Sequence, residues 1–296
     1  MYNTPILFLI FNRPDTTKSV FEQIREIKPA KLYVAADGPR ENRHGEDLRC
    51  AETRDIISKI DWPCKLKTLY REKNLGCKIA VSSAISWFFE QEEYGVILED
   101  DCLPNLSFFP FCEELLIRYK DDDRIGHIGG DCFLPGIIKN GLSYDFCSFA
   151  HIWGWASWRR VWKKYDVNFQ YWNEGNRNDL FNNLREKIYF TSFISDTLSG
   201  RNGINTWDIQ YFFTLRTQNQ LSIYPAKNLV ENIGFGTQDA THTGNISGNN
   251  EFKKEKIEFP LKHPQYFVRN KTIDTFSVKN NFFSWKRLLR YITKNY

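Results

Sequence analysis

Short apolar runs alternate with amphipathic segments through the first hundred residues, and this alternation limits the possible folds more than any other feature of the chain. Apolar runs at 4–11, 31–36 and 95–98 and a third predicted strand at 65–70 are each followed by polar or turn-forming residues. Between them, apolar residues recur at helical spacing over about 16–27, 50–60 and 77–90. A β-α-β-α-β-α-β order predicts parallel strands with right-handed crossovers and helices on both faces. We therefore expect an α/β fold with a mostly parallel central sheet.

The composition indicates a globular protein with enough material for a large core. Of 296 residues, 42% are apolar and 26% are charged, which excludes a disordered chain. A net charge of +4 is too small to indicate nucleic-acid binding. No apolar stretch is long enough to span a bilayer, and the N-terminal residues read as a first strand rather than a signal peptide. Seven cysteines without metal-type spacing indicate reduced thiols, so a cytoplasmic location is expected.

Three consecutive carboxylates end the fourth apolar run. Glu99, Asp100 and Asp101 follow residues 96–98 directly, and Pro104 comes soon after. Unpaired carboxylates are too costly to bury, so these side chains must leave the core. They also repel one another unless a cation lies among them, and hard oxygen ligands suit Mg²⁺ or Mn²⁺. The alternative is a solvated acidic turn, which is what an isolated Asp-Asp pair usually forms.

Polar and charged residues follow the other three strands as well. Arg13 follows the first, Asp37 the second, and Arg71 with Lys73 and Asn74 the third. Ligands of parallel sheets collect outside the carboxyl ends of the strands, where these side chains converge. Positive charge beside a metal-suited acidic turn predicts a site for a metal-bridged diphosphate. Neither a GxGxxG fingerprint nor a P-loop is present, so the nucleotide would be held through metal and side chains.

Tryptophan is concentrated between residues 146 and 172. Trp153, Trp155, Trp158 and Trp162 occur close together, with Gly154 between the first two. Each of them could belong to the core, which is the usual position of a single tryptophan. As a cluster they could also present flat aromatic surfaces on which sugar rings stack. Both interpretations are open from the sequence.

Three features of the second half have a functional and a structural interpretation each. Asp208 follows Trp207 at the start of a predicted helix, where a helix dipole alone would favour a carboxylate. His242 lies in a glycine-bearing loop at 231–244, which could be an active-site lid or simply solvated. The tail at 281–296 is basic, aromatic and amphipathic, so it could lie on an anionic membrane surface or dock on its own domain.

Four motifs in this order resemble those of nucleotide-diphospho-sugar transferases of the GT-A (Rossmann-like) fold. Within that group the chain is most similar to the inverting N-acetylglucosaminyltransferase I family and its bacterial relatives. The first motif is the strand that ends in Glu99-Asp100-Asp101, with Pro104 and Phe108-Phe109 after it, and the second is the segment 149–162 around Gly154-Trp155. The third is the pair Trp207-Asp208, and the fourth is the loop 232–244 with Phe235-Gly236 and His242. The resemblance covers about residues 4–245, although this chain has Ala-His-Ile-Trp where the family has Pro-Gly-Leu. An ordered set of four motifs is more specific than the acidic motif alone.

The resemblance implies an organisation and a set of roles. Residues 1–130 would form the nucleotide-sugar-binding half, 131–250 a smaller acceptor-binding and base-bearing half, and 251–296 a C-terminal extension that ends in a basic helix. The implied metal ligands for Mn²⁺ or Mg²⁺ are Asp101 and His242. The implied donor-binding residues are Arg13, Asp37, Arg71, Asn74, Glu99 and Asp100. The implied acceptor-side residues are Trp153, Gly154, Trp155 and Trp207.

The implied activity is inverting transfer of a sugar from a nucleoside-diphosphate sugar, expected to be a UDP-sugar. The acceptor would be a hydroxyl of a glycan, glycolipid or glycoprotein, and Asp208 would be the general base. Golgi anchoring, as in eukaryotic members, is not expected, and the basic tail suggests peripheral contact with the inner face of the plasma membrane. A sugar nucleotidylyltransferase is one alternative, although residues 12–15 lack the glycine usual in its first loop. A non-catalytic carbohydrate-binding protein built on the tryptophans is the other.

Overall fold

The computed structural model describes residues 1–174, 180–181, 183–200, 205–234 and 252–278. The strands are β1 (Ile6–Ile10), β2 (Lys31–Ala36), β3 (Lys65–Tyr70), β4 (Tyr94–Glu99), β5 (Cys102–Pro104), β6 (Ile125–Gly129), β7 (Tyr144–Cys147), β8 (Trp155–Trp158), β9 (Leu221–Pro225) and β10 (Val230–Asn232). The helices are α1 (Pro14–Ile27), α2 (Glu46–Asp55), α3 (Gly76–Phe89), α4 (Phe108–Arg118), α5 (Arg159–Trp162), α6 (Gln170–Glu174), α7 (Leu184–Leu198), α8 (Asp208–Thr217) and α9 (Lys271–Phe276). A 3₁₀ turn, Ile56–Lys59, follows α2.

Eight of the described strands form one twisted sheet in the order β3-β2-β1-β4-β8-β6-β9-β7. The first four are mutually parallel, and β6 is parallel to β9. Only β8 and the edge strand β7 run in the opposite direction within this sheet. Helix α3 packs against β1 and β2, whereas α4 packs against β4, β6 and β8. The predicted α/β fold with a mostly parallel central sheet flanked by helices is confirmed.

Two helix starts differ from the sequence prediction. Helix α1 begins at Pro14, and no side chain caps it, so Asp15 lies in the first turn rather than at the N-cap. Proline suits this first position because its φ is preset and its missing N–H would have no partner there. The second helix begins at Glu46, four residues earlier than expected, after Gly45 with φ of 75°. The last turn predicted for this helix forms the 3₁₀ turn Ile56–Lys59 instead.

A short two-stranded ribbon lies beside the large sheet and was not predicted. Strand β10 pairs antiparallel with β5, so Asn232 lies opposite Cys102 and Val230 opposite Pro104. The N–H of Ile233 also donates to the carbonyl of Asp101 at 2.8 Å. The beginning of the glycine-bearing loop is therefore fastened to the acidic end of β4. This pairing could not be seen in the sequence, because each strand is only three residues long.

The core has two parts. The larger one surrounds the central sheet, and β1 contributes five consecutive buried residues because it lies between β2 and β4. A second cluster of buried apolar residues joins α7, α8 and α9, with Phe190 stacked on Phe212 at a centroid distance of 4.2 Å. Strands from both sides of the predicted boundary at residue 130 share one sheet, and the domain division itself stays a prediction. Among the helices described, none has the length and apolar composition needed to cross a bilayer.

Two buried imidazoles make the stability of this fold depend on pH. His127 stacks on Trp155 at 5.7 Å, and neither of its ring nitrogens has a hydrogen-bond partner in the part of the chain described. Burial, with a smaller contribution from the neighbouring His151, lowers the pKa of His127 to about 3. Burial also lowers the pKa of His151 to about 4. Because an unfolded imidazole titrates near 6.5, the unfolded chain binds more protons below that pH, and the free energy of unfolding falls as the pH drops.

We expect wild type to lose about 2 kcal/mol more of its free energy of unfolding than His127→Gln between pH 7.5 and pH 5. The additional loss arises because His127 stays neutral in the folded protein but takes up a proton in the unfolded chain, whereas glutamine does not titrate in either state. Urea denaturation at both pH values measures the two differences. His44→Gln, at an exposed histidine, is the matched control and should keep the pH dependence of wild type. Equal losses in wild type and His127→Gln would contradict the prediction.

Candidate active site

A cavity of about 690 Å³ opens at the carboxyl ends of β1, β2 and β4. It is the place where ligands of parallel α/β sheets are usually bound, and its size suits a small organic ligand. The predicted site residues that line it are Arg13, Asp37, Arg71, Asn74, Glu99, Asp100, Asp101, Trp153, Trp207 and Asp208. Gly154 and Trp155 do not line it. His242 and the predicted tail helix lie outside the described residues.

The acidic turn, Glu99–Asp101, is held by the loop that follows β1. Arg13 donates from one guanidinium nitrogen to Asp101 at 2.9 Å and from another to Asp100. The backbone N–H of Phe11 donates to the second oxygen of Asp100 at 3.2 Å. Arg13 is therefore the counter-ion of two carboxylates, a contact that the sequence did not reveal because the residues are 87 and 88 positions apart.

One guanidinium does not balance three carboxylates. Burial and the charges of Asp101 and Asp100 together raise the pKa of Glu99 to about 8, against the opposing effect of Arg13. Burial also raises the pKa of Asp100 to about 6, although its ion pair with Arg13 counteracts this. The turn thus has a surplus of negative charge, which a bound proton or a cation would relieve.

The donor set of this turn fits a hard divalent cation that takes part of its coordination shell from a ligand. Carboxylate oxygens are the protein ligands that Mg²⁺ and Mn²⁺ prefer. In the part of the chain that the structure describes, the Oδ1 atom of Asp101 has only a 3.5 Å contact from the Cys102 thiol, whereas Oδ2 is paired with Arg13. Within the described ranges, no three His, Cys, Asp or Glu side chains are grouped closely enough to hold a metal by themselves. Water or a bound ligand would have to supply the remaining oxygens.

Asp37 organises the loop at the other end of the cavity. Its carboxylate accepts hydrogen bonds from the N–H groups of Gly38, Leu75 and Gly76, at 2.9 to 3.1 Å. Burial raises its pKa, and these three bonds counteract the shift. Asn74 donates to the carbonyl of Gly38 at 2.8 Å, so the ends of β2 and β3 are tied together. The predicted role of Asp37 in donor binding stays a prediction.

Arg71, from the end of β3, lies on the same side of the cavity. Its guanidinium donates to the Ser83 hydroxyl of α3 at 2.7 Å. Arg40, which the sequence analysis did not single out, also lines the cavity. It forms an ion pair with Glu46 and lies over the ring of Phe11 at 5.6 Å. This side of the cavity therefore carries Arg71 and Arg40 as well as Asp37, and the ring of Phe11 lies under the Arg40 guanidinium.

Asp208 faces the acidic turn from the first residue of α8. Its Oδ1 accepts hydrogen bonds from the N–H of Ile209 at 2.8 Å and from the Thr206 hydroxyl. Its charge makes a small contribution to the raised pKa of Glu99, and both residues line the cavity. Trp207 fixes the start of the helix: its indole is buried, and its carbonyl accepts a hydrogen bond from Tyr165 at 3.0 Å.

Most of the clustered tryptophans belong to the core, and the predicted contact of Trp155 with acceptor sugars is wrong. Trp155, Trp158 and Trp162 are 0%, 2% and 5% exposed. The reason is that β8 lies between β4 and β6 in the middle of the sheet, where both of its faces are covered. Trp155 instead supports the site from below, stacked on Trp207 at 5.6 Å. Trp153 is partly exposed and lines the cavity, as predicted.

Two glycines act through close packing rather than ligand contact. Gly154 has a φ of 66°, and a Cβ atom there would come within 2.9 Å of the Val230 side chain. Gly234, directly after β10, approaches the acidic turn: a Cβ atom there would lie 2.4 Å from Oδ2 of Asp101 and 2.9 Å from Arg13. The predicted acceptor contact of Gly154 is replaced by a packing role. The close approach of Gly234 could not be predicted from the sequence, which showed only that this residue lies in a glycine-bearing loop.

The chain matches no protein-family model and no curated protein. Among solved structures it is similar to S. aureus TarS residues 1–349, with 10% identity and a TM-score of 0.43 over 78% of this chain and 59% of that one, less than two thirds of its length. It is also similar to HddC from Yersinia pseudotuberculosis (8% identity, TM-score 0.34, 57% and 83% of the two chains). A third likeness is to 4-diphosphocytidyl-2C-methyl-D-erythritolsynthase from Anaerococcus prevotii (11% identity, TM-score 0.33, 58% and 85%). At these identities and scores, the function has to be argued from the residues of the cavity.

Proposed function

We propose that this protein is an inverting glycosyltransferase that moves a sugar from a nucleoside-diphosphate sugar, a UDP-sugar by our expectation, to a hydroxyl of a glycan or glycoconjugate. The observation that carries the proposal is the composition of one cavity. Three carboxylates of the acidic turn, three arginines and Asp208 all line it, at the carboxyl ends of parallel strands. An acceptor-side carboxylate opposite a charged donor site is what base-assisted sugar transfer requires.

The donor would lie along the cavity with its nucleoside toward Asp37 and its diphosphate toward the acidic turn. The small side chains of Ala35, Ala36 and Ala80 line the middle and leave room for a ring system. Arg71 and Arg13 supply fixed positive charge on the diphosphate path. The resemblance to the N-acetylglucosaminyltransferase I family supports this orientation of the donor.

Asp101, with Asp100 through its hydration shell, would hold Mn²⁺ or Mg²⁺. Such a cation would supply positive charge for the departing diphosphate. Arg13 pairs with both aspartates, and its charge counteracts the effect of burial on the pKa of Asp100. Glu99, which also lines the cavity, would contact the donor sugar.

Asp208 would take the proton from the acceptor hydroxyl. Thr206 and the N–H of Ile209 hold Oδ1, while Oδ2 accepts no hydrogen bond from the residues described. As the proton moves to the carboxylate, the acceptor oxygen attacks the anomeric carbon, and the bond from that carbon to the diphosphate oxygen breaks. Attack from the face opposite the leaving group inverts the configuration. Trp153, at the same end of the cavity, would provide an aromatic surface for the acceptor.

Incubation with Mn²⁺ and a panel of nucleotide sugars tests the proposal against its rivals. We expect slow release of free sugar and nucleoside diphosphate from one donor of the panel, faster when an acceptor is present. A sugar nucleotidylyltransferase would instead form nucleoside triphosphate when pyrophosphate is added. A non-catalytic sugar-binding protein would do neither. Either of the last two results would overturn the proposal.

A further inference from the structure

Asn205 joins the segment in front of α8 to the N-terminus of α3. Its Oδ1 accepts a hydrogen bond from the N–H of Lys78 at 2.8 Å, across 127 positions of the chain. Its Nδ2 lies against Gly76, where a Cβ atom would be 2.5 Å away. Asn205 lines the same cavity as Asp208, so the contact is made at the edge of the site.

The first N–H groups of a helix have no partners within their own helix. At the N-terminus of α3 they are bound from two sides. Asp37 accepts from Leu75 at 3.0 Å and from Gly76 at 3.1 Å, whereas Asn205 accepts from Lys78. The end of α3 is thus a shared support: one side holds the donor-side loop, and the other holds the segment that leads to Asp208.

The rest of this segment, residues 205–208, is fixed by neighbouring contacts. The Thr206 hydroxyl donates to Asp208. Trp207 is stacked on Trp155, and its carbonyl is bound by Tyr165. These contacts fix the segment against the aromatic core. Asn205 adds a contact to the helix that also holds Asp37.

We propose that Asn205 is a positioning residue, which sets the distance between Asp208 and the donor by fastening the 205–208 segment to α3. The inference rests on the proposed function, because it gives Asp208 the role of general base. A base misplaced by about 1 Å can lower a rate about 100-fold, so one hydrogen bond at this position has a large effect on catalysis. The hydrogen bond of Asn205 should affect kcat rather than the donor KM, because Asn205 holds the acceptor-side segment.

Asn205→Ala should lower kcat for sugar transfer by about 10-fold to 100-fold and leave the donor KM unchanged. Asn205→Asp keeps an oxygen that can accept from Lys78 and should retain most of the wild-type kcat. A merely structural role would not separate these two variants, nor kcat from KM. Thermal unfolding of each variant shows whether the fold is kept.

Two glycine variants provide a matched pair. Gly76 and Gly136 have φ of 75° and 76°, so alanine introduces the same backbone strain at both. At Gly76 the new Cβ would displace Asn205, whereas at Gly136 nothing lies within 4 Å. Gly76→Ala should therefore lower kcat as Asn205→Ala does, and Gly136→Ala should behave as wild type.

The same measurements distinguish the positioning role of Asn205 from the proposed function on which it rests. Wild-type kcat in Asn205→Ala, together with an inactive Asp208→Asn, would overturn the positioning role and leave the proposed function standing. Equal losses in Asn205→Ala and Asn205→Asp would overturn it as well. An active Asp208→Asn would show that Asp208 is not the base and would overturn the positioning role with it, whereas the donor panel tests the proposed function itself.

Discussion

Replacing Asp208 by asparagine is expected to lower the rate of sugar transfer by at least about 100-fold while leaving nucleotide binding intact. Asparagine keeps the oxygen that accepts from Thr206 and Ile209, so the side chain should stay in place. It cannot take a proton from the acceptor hydroxyl. Transfer is measured by release of nucleoside diphosphate with acceptor present, and binding by calorimetry with the nucleoside diphosphate and Mn²⁺.

The matched control for Asp208→Asn is Asp166→Asn. This half-buried aspartate lies near the same aromatic cluster but does not line the cavity, so we expect normal turnover. Near-normal transfer by Asp208→Asn would show that another group is the base. Loss of nucleotide binding along with transfer would show instead that Asp208 belongs to the donor site.

Asp101→Asn should remove metal-dependent donor binding, with the affinity for a nucleoside diphosphate in Mn²⁺ falling by at least about 100-fold. The reason is that the amide carries no charge for a divalent cation, and that the surplus negative charge of the acidic turn is reduced. Calorimetric titrations with Mn²⁺ and with chelator measure the metal-dependent part of the affinity. In wild type, chelator should lower the affinity to the level of the variant.

Asp121→Asn serves as the control for this second variant, because Asp121 is 87% exposed and distant from the cavity lining. Its titrations should match those of wild type with and without chelator. If wild-type binding is the same in Mn²⁺ and in chelator, or if Asp101→Asn keeps the metal effect, the metal role of Asp101 is wrong.

The elements with a strong local pattern were predicted closely. Strand β3 was predicted at its observed bounds, and α3 differs by one residue at each end. Helix α2 was predicted less well, since its charged first turn, Glu46 and Asp47, has no apolar periodicity. The β5–β10 ribbon was missed because hydrogen bonds between distant, very short strands leave no periodic signal.

The site residues show the same difference between positions with a local sequence pattern and positions that depend on distant contacts. Asp37, Arg71 and Glu99 were singled out because they lie at the ends of parallel strands, positions that converge at one edge of the sheet, and all three line the cavity. Asn205 and Gly234 were missed because their importance comes from what lies opposite them. Trp155 was misassigned because a run rich in tryptophan reads alike whether it lines a cavity or crosses the middle of a sheet.

By itself, the sequence determined the order of strands and helices and the end of the sheet at which polar groups collect. It could do so because burial demands apolar runs, and carboxylates after such a run must leave the core. Only the tertiary structure decided that Arg13 pairs with Asp100 and Asp101, that β8 enters the sheet between β4 and β6, and that Asn205 reaches α3. The physical reason is that hydrogen bonds, ion pairs and packing act across space, between residues whose separation along the chain carries no trace of the contact.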